Sequence, residues 1–186
     1  MKFFVAVVAT ICIVNISSVS AREVKPSLSL QAVYAVPIDY LYNSAGNGYG
    51  GGATLYYNVD ESLSLTGHIA YMVHGAGIER QYTTYNLSVI PINVGILYKL
   101  SNSAVTPYIG FGAGMFLAKT TVKVEYMGIS QEASESSSDV GITPLFGIMI
   151  PFGALSIDAT AKYNVIFLDG GTTSYIGIQA GVNIPL

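Results

Sequence analysis

The sequence has little charge and few residues suited to covalent or metal chemistry. Asp, Glu, Lys and Arg together make up 10% of its 186 residues, whereas an ordinary soluble domain carries roughly 25%. The single cysteine, Cys12, lies near the N-terminus, and tryptophan is absent. The rest of the chain therefore has no thiol for a disulfide, a metal site or a nucleophile.

Basic charge is especially scarce. The formal net charge is −3, and it falls by one further unit if Lys2 is removed with the N-terminal segment. A nucleic-acid partner is not expected, because no basic face is available to meet a phosphate backbone.

Residues 1–21 are predicted to be a cleaved signal peptide. Lys2 supplies the positive start, residues 3–14 are apolar, and cleavage is expected after Ala21. As a helix the apolar stretch would span only about 18 Å, short of a bilayer core of roughly 30 Å. Residues 22–186 would then form one exported domain with a single core.

After this leader no run of about 20 apolar residues follows, which excludes helical membrane spans. Apolar and polar residues alternate instead, as in a β-strand. In residues 27–36, for example, Leu28, Leu30 and Tyr34 share one face and Ser29 and Gln31 the other. Eight such strands are predicted, at residues 27–36, 52–58, 63–72, 82–100, 105–124, 140–150, 155–163 and 175–186.

The predicted connections alternate in length. Short turns follow the second, fourth and sixth strands, at residues 59–62, 101–104 and 151–154, and longer connections follow the odd strands. This alternation is typical of a membrane barrel, with short periplasmic turns and long external loops. In the fourth strand the apolar residues move from odd positions (Leu87, Val89) to even ones from Ile92 onward, which predicts a β-bulge at Pro91.

The polar faces of the strands distinguish a membrane barrel from a soluble one. They consist of Ser, Thr, Gly, Gln and Asn, with Asp158 and Lys162 as the clearest charges, where a soluble barrel would place Lys and Glu. Small polar side chains suit the interior of an eight-stranded barrel, so the apolar faces would meet lipid, and closure would satisfy the backbone. We predict an all-β fold, an eight-stranded antiparallel up-and-down transmembrane β-barrel. The outward tyrosines near strand ends would form an aromatic girdle: Tyr34, Tyr71, Tyr98 and Tyr163.

Two segments resemble the small outer-membrane β-barrel family, which includes OmpX-like and OmpA-like barrels. Residues 89–95 (VIPINVG) with Tyr98 are similar to the family's fourth strand, and residues 106–114 (TPYIGFGAG) to its fifth. The resemblance covers the mature chain and implies an architecture without a catalytic assignment. The family usually ends in an aromatic residue that the outer-membrane assembly machinery recognises, whereas this chain ends in Leu186.

A glycine-rich segment, residues 46–51 (GNGYGG), has the spacing of a dinucleotide-binding loop. That motif requires a preceding strand and a following helix, and here an alternating strand segment follows. We therefore expect a flexible loop at the barrel rim and no bound cofactor.

Three polar residues are predicted to point into the lumen: His68, Asp158 and Lys162. His68 with Asp158 or a serine could form a hydrolytic set, as in lipid A-modifying barrels, but no His-x-Ser pair is present, so a hydrogen-bonded lumen histidine is favoured. Asp158 and Lys162 are roughly 13 Å apart along one strand, so each should pair with other strands. We expect no catalytic and no metal-binding residues.

Residues 125–139 are acidic and serine-rich and are predicted to be an exposed external loop. Its candidate contact residues are Glu125, Glu132, Glu135 and Asp139. These carboxylates could bind a divalent cation, but they lack calcium-loop spacing.

The leading hypothesis is a non-enzymatic, monomeric protein of a Gram-negative-type outer membrane, with a structural or adhesin-like role. Its expected partners are outer-membrane lipid and lipopolysaccharide, the assembly machinery and an unidentified surface ligand. The alternatives are a narrow channel or small-solute transporter, a lipid A-modifying enzyme, and a soluble periplasmic ligand-binding barrel.

Overall fold

Eight antiparallel strands close into a barrel. The computed structural model describes residues 26–38, 45–76, 83–101, 104–126 and 129–186, and the predicted signal peptide lies outside them. The strands are β1 (Ser27–Ile38), β2 (Ala45–Asn58), β3 (Leu63–Ala76), β4 (Thr83–Lys99), β5 (Thr106–Tyr126), β6 (Ile129–Phe152), β7 (Leu155–Leu168) and β8 (Gly171–Pro185). Each strand pairs with its neighbours in sequence, and β1 pairs with β8 to close the barrel. The predicted fold is confirmed.

The described ranges of the chain contain strands, turns and bends but no helix. The part of the chain that the structure describes contains no helix that is both long and apolar enough to cross a membrane.

The two ends of the barrel differ. The starts of β1, β3, β5 and β7 lie at one end together with the turns at residues 59–62 and 153–154, and this end is called the turn end here. The starts of β2, β4, β6 and β8 lie at the other end, called the hairpin end. At the turn end Gly153 has a φ of 64°, as a type II′ turn requires at its first central position.

The register sets the width of the barrel. Starting from Leu28, successive partners around the barrel are Leu55, Gly67, Val94, Ala113, Ile142, Val165 and Ser174, and the last of these pairs with Ile38. One circuit thus advances from residue 28 to residue 38 on β1, a stagger of ten residues. Eight tilted strands leave an interior just wide enough for side chains to fill.

Apolar side chains cover the outside of the barrel, as predicted. On β1, Leu30 and Tyr34 are 52% and 45% exposed, whereas Ser29 and Gln31 between them are buried. Because hydrocarbon offers no hydrogen bonds, a closed barrel with an apolar outer face is the form that strands take in a membrane. Other outward apolar residues include Leu55, Leu65, Ile69, Ile92, Val94, Ile96, Ile109, Phe111, Met115, Phe146, Ile157, Ile178 and Val182. The four predicted girdle tyrosines are also exposed, and their place in an interfacial girdle stays a prediction.

The predicted β-bulge at Pro91 is wrong. The register of β4 against β5 is continuous from Ile90 through Ile92, and its register against β3 is the same on both sides of Pro91. Leu87 and Val89 occupy odd positions because they point into the lumen, where both are buried. The irregular register lies instead in β2, between Ala45 and Gly48.

Two segments predicted as loops are strands. The glycine-rich segment at residues 46–51 belongs to β2 and pairs with β3. Residues 125–139 complete a long hairpin in which β5 and β6 pair continuously as far as Tyr126 and Ile129. Only residues 169–170 separate β7 from β8. The main difference between the two ends is therefore that β5 and β6 extend furthest at the hairpin end.

Candidate functional site

Strands that are remote in sequence bring their inward side chains together around Asp158. Ser29 Oγ and Gln31 Nε2 on β1 donate hydrogen bonds of 2.9 and 2.8 Å to its Oδ2. Tyr56 on β2 donates to the same oxygen at 2.8 Å, and Tyr108 on β5 donates to Oδ1 at 2.5 Å. Asp158 itself is fully buried. A buried carboxylate is tolerated when such donors replace its hydration.

His68 lies in the lumen as predicted, 6% exposed, but it does not contact Asp158 directly. Its Nδ1 is 2.9 Å from Thr54 Oγ1, and that hydroxyl donates to Gln31 Oε1 at 3.0 Å. Gln179 Nε2 lies 3.4 Å from His68 Nε2. An amide nitrogen only donates, so His68 Nε2 accepts and the proton is assigned to Nδ1. His68 therefore reaches Asp158 through Thr54 and Gln31, and the hydroxyl beside its Nδ1 already donates its proton to Gln31.

Lys162 also points inward and is 6% exposed. It borders a cavity of about 20 Å³ that His68, Thr143 and Thr160 help to line. A cavity of this size holds about one water molecule. Within the described residues, Lys162 Nζ has no carboxylate or other acceptor at bonding distance. The expectation that Asp158 and Lys162 would each pair with other strands is thus correct for Asp158, through neutral donors, and wrong for Lys162.

Apolar side chains fill the lumen on the hairpin side of these polar groups. The buried cluster there, called the hairpin-side layer, is Val33, Ala35, Ala70, Met72, Leu87, Val89, Phe116, Ile166 and Tyr175. A second cluster consists of Tyr56, Leu97 and Tyr108, with Leu145 and Met149 packed against it. Because Tyr56 and Tyr108 donate to Asp158, this second cluster lies at the level of the carboxylate.

Beyond the hairpin-side layer, β5 and β6 continue as a projection, in which β4 stays paired with the other edge of β5 as far as Val124. Pairing of β6 with β7 begins only at Val140, so residues 129–139 of β6 are paired with β5 and leave their other edge open. An open edge presents backbone N–H and C=O groups that can pair with another chain. The side chains of residues 131–138 are exposed.

The four predicted contact residues all lie on this projection. Glu132 and Glu135 are exposed, and Asp139 is half-buried. Glu125 belongs to β5 and is the register partner of Ser130. In the described ranges of the chain, no three His, Cys, Asp or Glu residues cluster closely enough to hold a metal ion.

The partners of Asp158 were not singled out from the sequence, although a signal for them was present. Ser29 and Gln31 lie on the predicted polar face of β1, and Tyr108 shares an inward face with Gly110 and Gly112. The alternation within one strand does not predict the stagger between strands, and this stagger places these residues at the same height along the barrel axis.

Comparisons with known proteins agree with this architecture. The model of the family "Outer membrane protein beta-barrel domain" matches residues 4–184. No curated protein shows significant sequence similarity to the chain.

Several solved structures share the fold. Ail, the attachment invasion locus protein of Yersinia pestis, has a TM-score of 0.61 at 19% identity, over 88% of this chain and 100% of its own. Neisserial surface protein A has a TM-score of 0.55 at 18% identity, over 87% and 97%. OprG from Pseudomonas aeruginosa has a TM-score of 0.60 at 11% identity, over 88% and 96%. At these identities the structural likeness shows only the fold. The family model matches nearly the whole sequence, so the chain belongs to the outer membrane protein beta-barrel domain family and is a barrel of the outer membrane.

Proposed function

We propose that this protein is a non-enzymatic outer-membrane anchor that presents the β5–β6 projection for contact with another protein at the cell surface. The observation that carries the proposal is the open edge of β6 at residues 129–139. Extended segments of other proteins bind such edges by strand addition, in which backbone hydrogen bonds supply the affinity.

The filled lumen supports an anchor over a channel. The apolar hairpin-side layer closes the lumen beyond the polar residues, and the cavity beside Lys162 has a volume of only about 20 Å³. Ions would have to cross this apolar layer without replacement of their hydration, which is costly. We therefore expect the purified protein to show no steady conductance in planar bilayers.

The orientation follows from the difference between the two ends. In membrane barrels the short turns face the periplasm and the larger excursions face outward. We infer that the turn end faces the periplasm and that the projection extends from the cell, in a setting of lipid and lipopolysaccharide.

The charge of the projection favours a peptide partner over a sulfated one. Ail has been crystallised with the heparin analogue sucrose octasulfate, in a structure with a TM-score of 0.50 to this chain at 17% identity. Here Lys119 and Lys123 are outnumbered by the acidic residues Glu125, Glu132, Glu135 and Asp139. A polysulfate would be repelled on balance, whereas strand addition depends on the backbone edge.

Shortening the projection tests the proposal. Thr120 and Glu135 are register partners, so residues 121–134 can be replaced by Asn-Gly, which favours a tight hairpin turn. Residues 83–86 of β4, which pair with residues 121–124, are deleted in the same variant. Cells that display the shortened protein should lose adhesion to cultured epithelial cells. A Glu132→Gln variant, which keeps the full edge, should retain it.

Folding of both variants is checked by the heat-dependent gel shift of outer-membrane barrels. Full adhesion by the shortened, folded variant would show that the projection is not the contact site. Competition by sucrose octasulfate would show that sulfate recognition operates instead of strand addition.

A further inference from the structure

A second cavity lies at the hairpin end of the lumen, and Ser137 and Asp139 of β6 are among the residues that line it. Its volume is about 180 Å³, and we call it the vestibule. Leu87, Val89, Phe116, Ile166 and Tyr175 of the hairpin-side apolar cluster line it from below. The inward side chains of the β5–β6 projection, including Ala118, form part of its wall. The vestibule is therefore a cup with an apolar floor.

Aromatic rings shape the floor. Phe116 and Tyr175 meet edge to face, with ring centroids 6.3 Å apart and planes at 83°. Both side chains are almost fully buried, at 1% and 2% exposure. Both rings border the cavity, and aromatic rings pack favourably edge to face against a further ring.

Polar groups are present on one side of the vestibule. Thr173 lines it, is 6% exposed, and its Oγ1 has no hydrogen-bond partner in the described structure. Asp139, which is half-buried, also lines the cavity. A buried hydroxyl without a partner costs free energy that a ligand would recover by hydrogen bonding to it.

We propose that the vestibule binds a small neutral molecule of about the size of phenol, with an aromatic ring on the Phe116–Tyr175 floor and one hydroxyl group at Thr173 and Asp139. The volume fits this class, since an engineered protein cavity of about 150 Å³ holds benzene. The carboxylate of Asp139 accepts a hydrogen bond from a hydroxyl group and repels a ligand carboxylate.

Three matched probes test the ligand class: p-cresol, toluene and benzoate. The full-length barrel in nanodiscs, with labelled Leu and Val methyl groups, is titrated with each probe, and empty nanodiscs correct for partition into lipid. The methyl signals of Leu87 and Val89 should shift with saturation for p-cresol, more weakly for toluene and not for benzoate.

Two variants test the place of binding. Ala118→Phe should fill the vestibule and abolish the p-cresol shifts, whereas Leu117→Phe, its outward neighbour on β5, should leave them unchanged. Thr173→Val removes the hydroxyl at nearly constant volume, so it should weaken p-cresol binding by about 3- to 10-fold and leave toluene binding unchanged.

Thr173→Val keeps the proposal open to refutation even if Ala118→Phe fails to fold. The proposal is overturned if p-cresol produces no saturable shift, if benzoate binds as well as p-cresol, or if Thr173→Val weakens both neutral probes equally. None of these outcomes bears on adhesion through the β5–β6 projection.

Discussion

Tyr108 on β5 donates a 2.5 Å hydrogen bond to Oδ1 of Asp158 on β7, so the two strands are linked across the lumen as well as through β6. Both residues are buried, at 1% and 0% exposure. Hydrogen bonds to an ionised acceptor are roughly twice as strong as neutral ones. Since Ser29 and Gln31 of β1 donate to the same carboxylate, the network joins the first strand to the late strands next to the closing seam.

Removal of the Tyr108 hydroxyl isolates this link. Tyr108→Phe keeps the ring, and we expect it to lower the free energy of unfolding by roughly 1.5–3 kcal/mol, because the carboxylate loses a buried donor. Equilibrium unfolding by urea in lipid vesicles measures the change. Tyr98→Phe, at an outward position that is 51% exposed, is the matched control and should have little effect. Equal effects of the two variants would contradict the structural role of the bond.

Loss of the acceptor should cost more than loss of one donor. Asp158→Ala leaves Ser29, Gln31, Tyr56 and Tyr108 without their shared acceptor. We expect destabilisation of roughly 3–5 kcal/mol, as when one partner of a buried charged network is deleted. Glu132→Gln removes an exposed carboxylate and should change stability by less than about 0.5 kcal/mol. A small effect of Asp158→Ala in the same unfolding assay would show that water replaces the carboxylate.

The inward position of Asp158 could be predicted from the sequence because it depends only on local alternation. On β7 the apolar residues Ile157 and Tyr163 have one parity, and Asp158 and Lys162 have the other. The same alternation of apolar and polar residues, applied to β3 and β1, places His68 and Ser29 inside the barrel. The alternation within a single strand thus predicts whether a side chain points into the lumen or toward lipid, provided that the lumen is polar at that level.

The hairpin-side layer shows where this reasoning fails. Leu87 and Val89 are apolar and point inward, so the rule that apolar residues face lipid required a bulge that does not exist. The composition of the lumen changes along its axis, and which level a residue occupies depends on the stagger between strands. Residues 125–139 are predicted as a loop for a related reason, since residues 131–138 are exposed on both faces of the strand and so carry no alternating signal.

Gly147 is a position where the lumen has no room for a side chain. A Cβ atom there would collide with the ring and hydroxyl of Tyr108 and with the backbone oxygen of Ala159. Gly147→Ala should therefore displace Tyr108 from Asp158 and destabilise the barrel by roughly 1–3 kcal/mol. Gly67→Ala, where a Cβ meets no atom within 4 Å, is the control. In combination with Tyr108→Phe, Gly147→Ala should cost less than the sum of the two single changes, and strict additivity would argue against the collision.

The turn at residues 59–62 should make stability depend on pH through Asp60. Its Oδ1 accepts hydrogen bonds of 2.7 Å from the backbone N–H groups of Leu63 and Ser62. These bonds hold the pKa of the Asp60 carboxyl below its ordinary value of 3.8. A lowered pKa in the folded state stabilises the fold above the unfolded value, and this contribution is lost as pH falls through the folded value. The stability difference between wild type and Asp60→Asn should therefore shrink as pH falls from about 5 to about 2. A difference that is constant over this range would contradict the assignment.

Lys162 should be dispensable for stability, in contrast to Asp158. Its amino group is buried beside a cavity of about 20 Å³ and has no acceptor at bonding distance among the described residues. Lys162 and Asp158 attract each other electrostatically, but four donors from β1, β2 and β5 already bond the carboxylate, so we expect it not to depend on the lysine as a counter-ion. Burial of an amino group without an acceptor is unfavourable, and apolar residues of similar volume often replace buried ionic groups without loss.

Lys162→Met keeps the length of the side chain and removes its charge. We expect the free energy of unfolding to stay the same or to rise by about 1–2 kcal/mol. Lys119→Met, at an exposed position on the outer face of the projection, measures the effect of one lost positive charge without burial. If Lys162→Met lowered stability by more than about 2 kcal/mol while Lys119→Met did not, the lysine would be acting as the counter-ion of Asp158. In that case the double change of Lys162→Met with Asp158→Asn should restore much of the loss, because no buried charge would then be left unpaired.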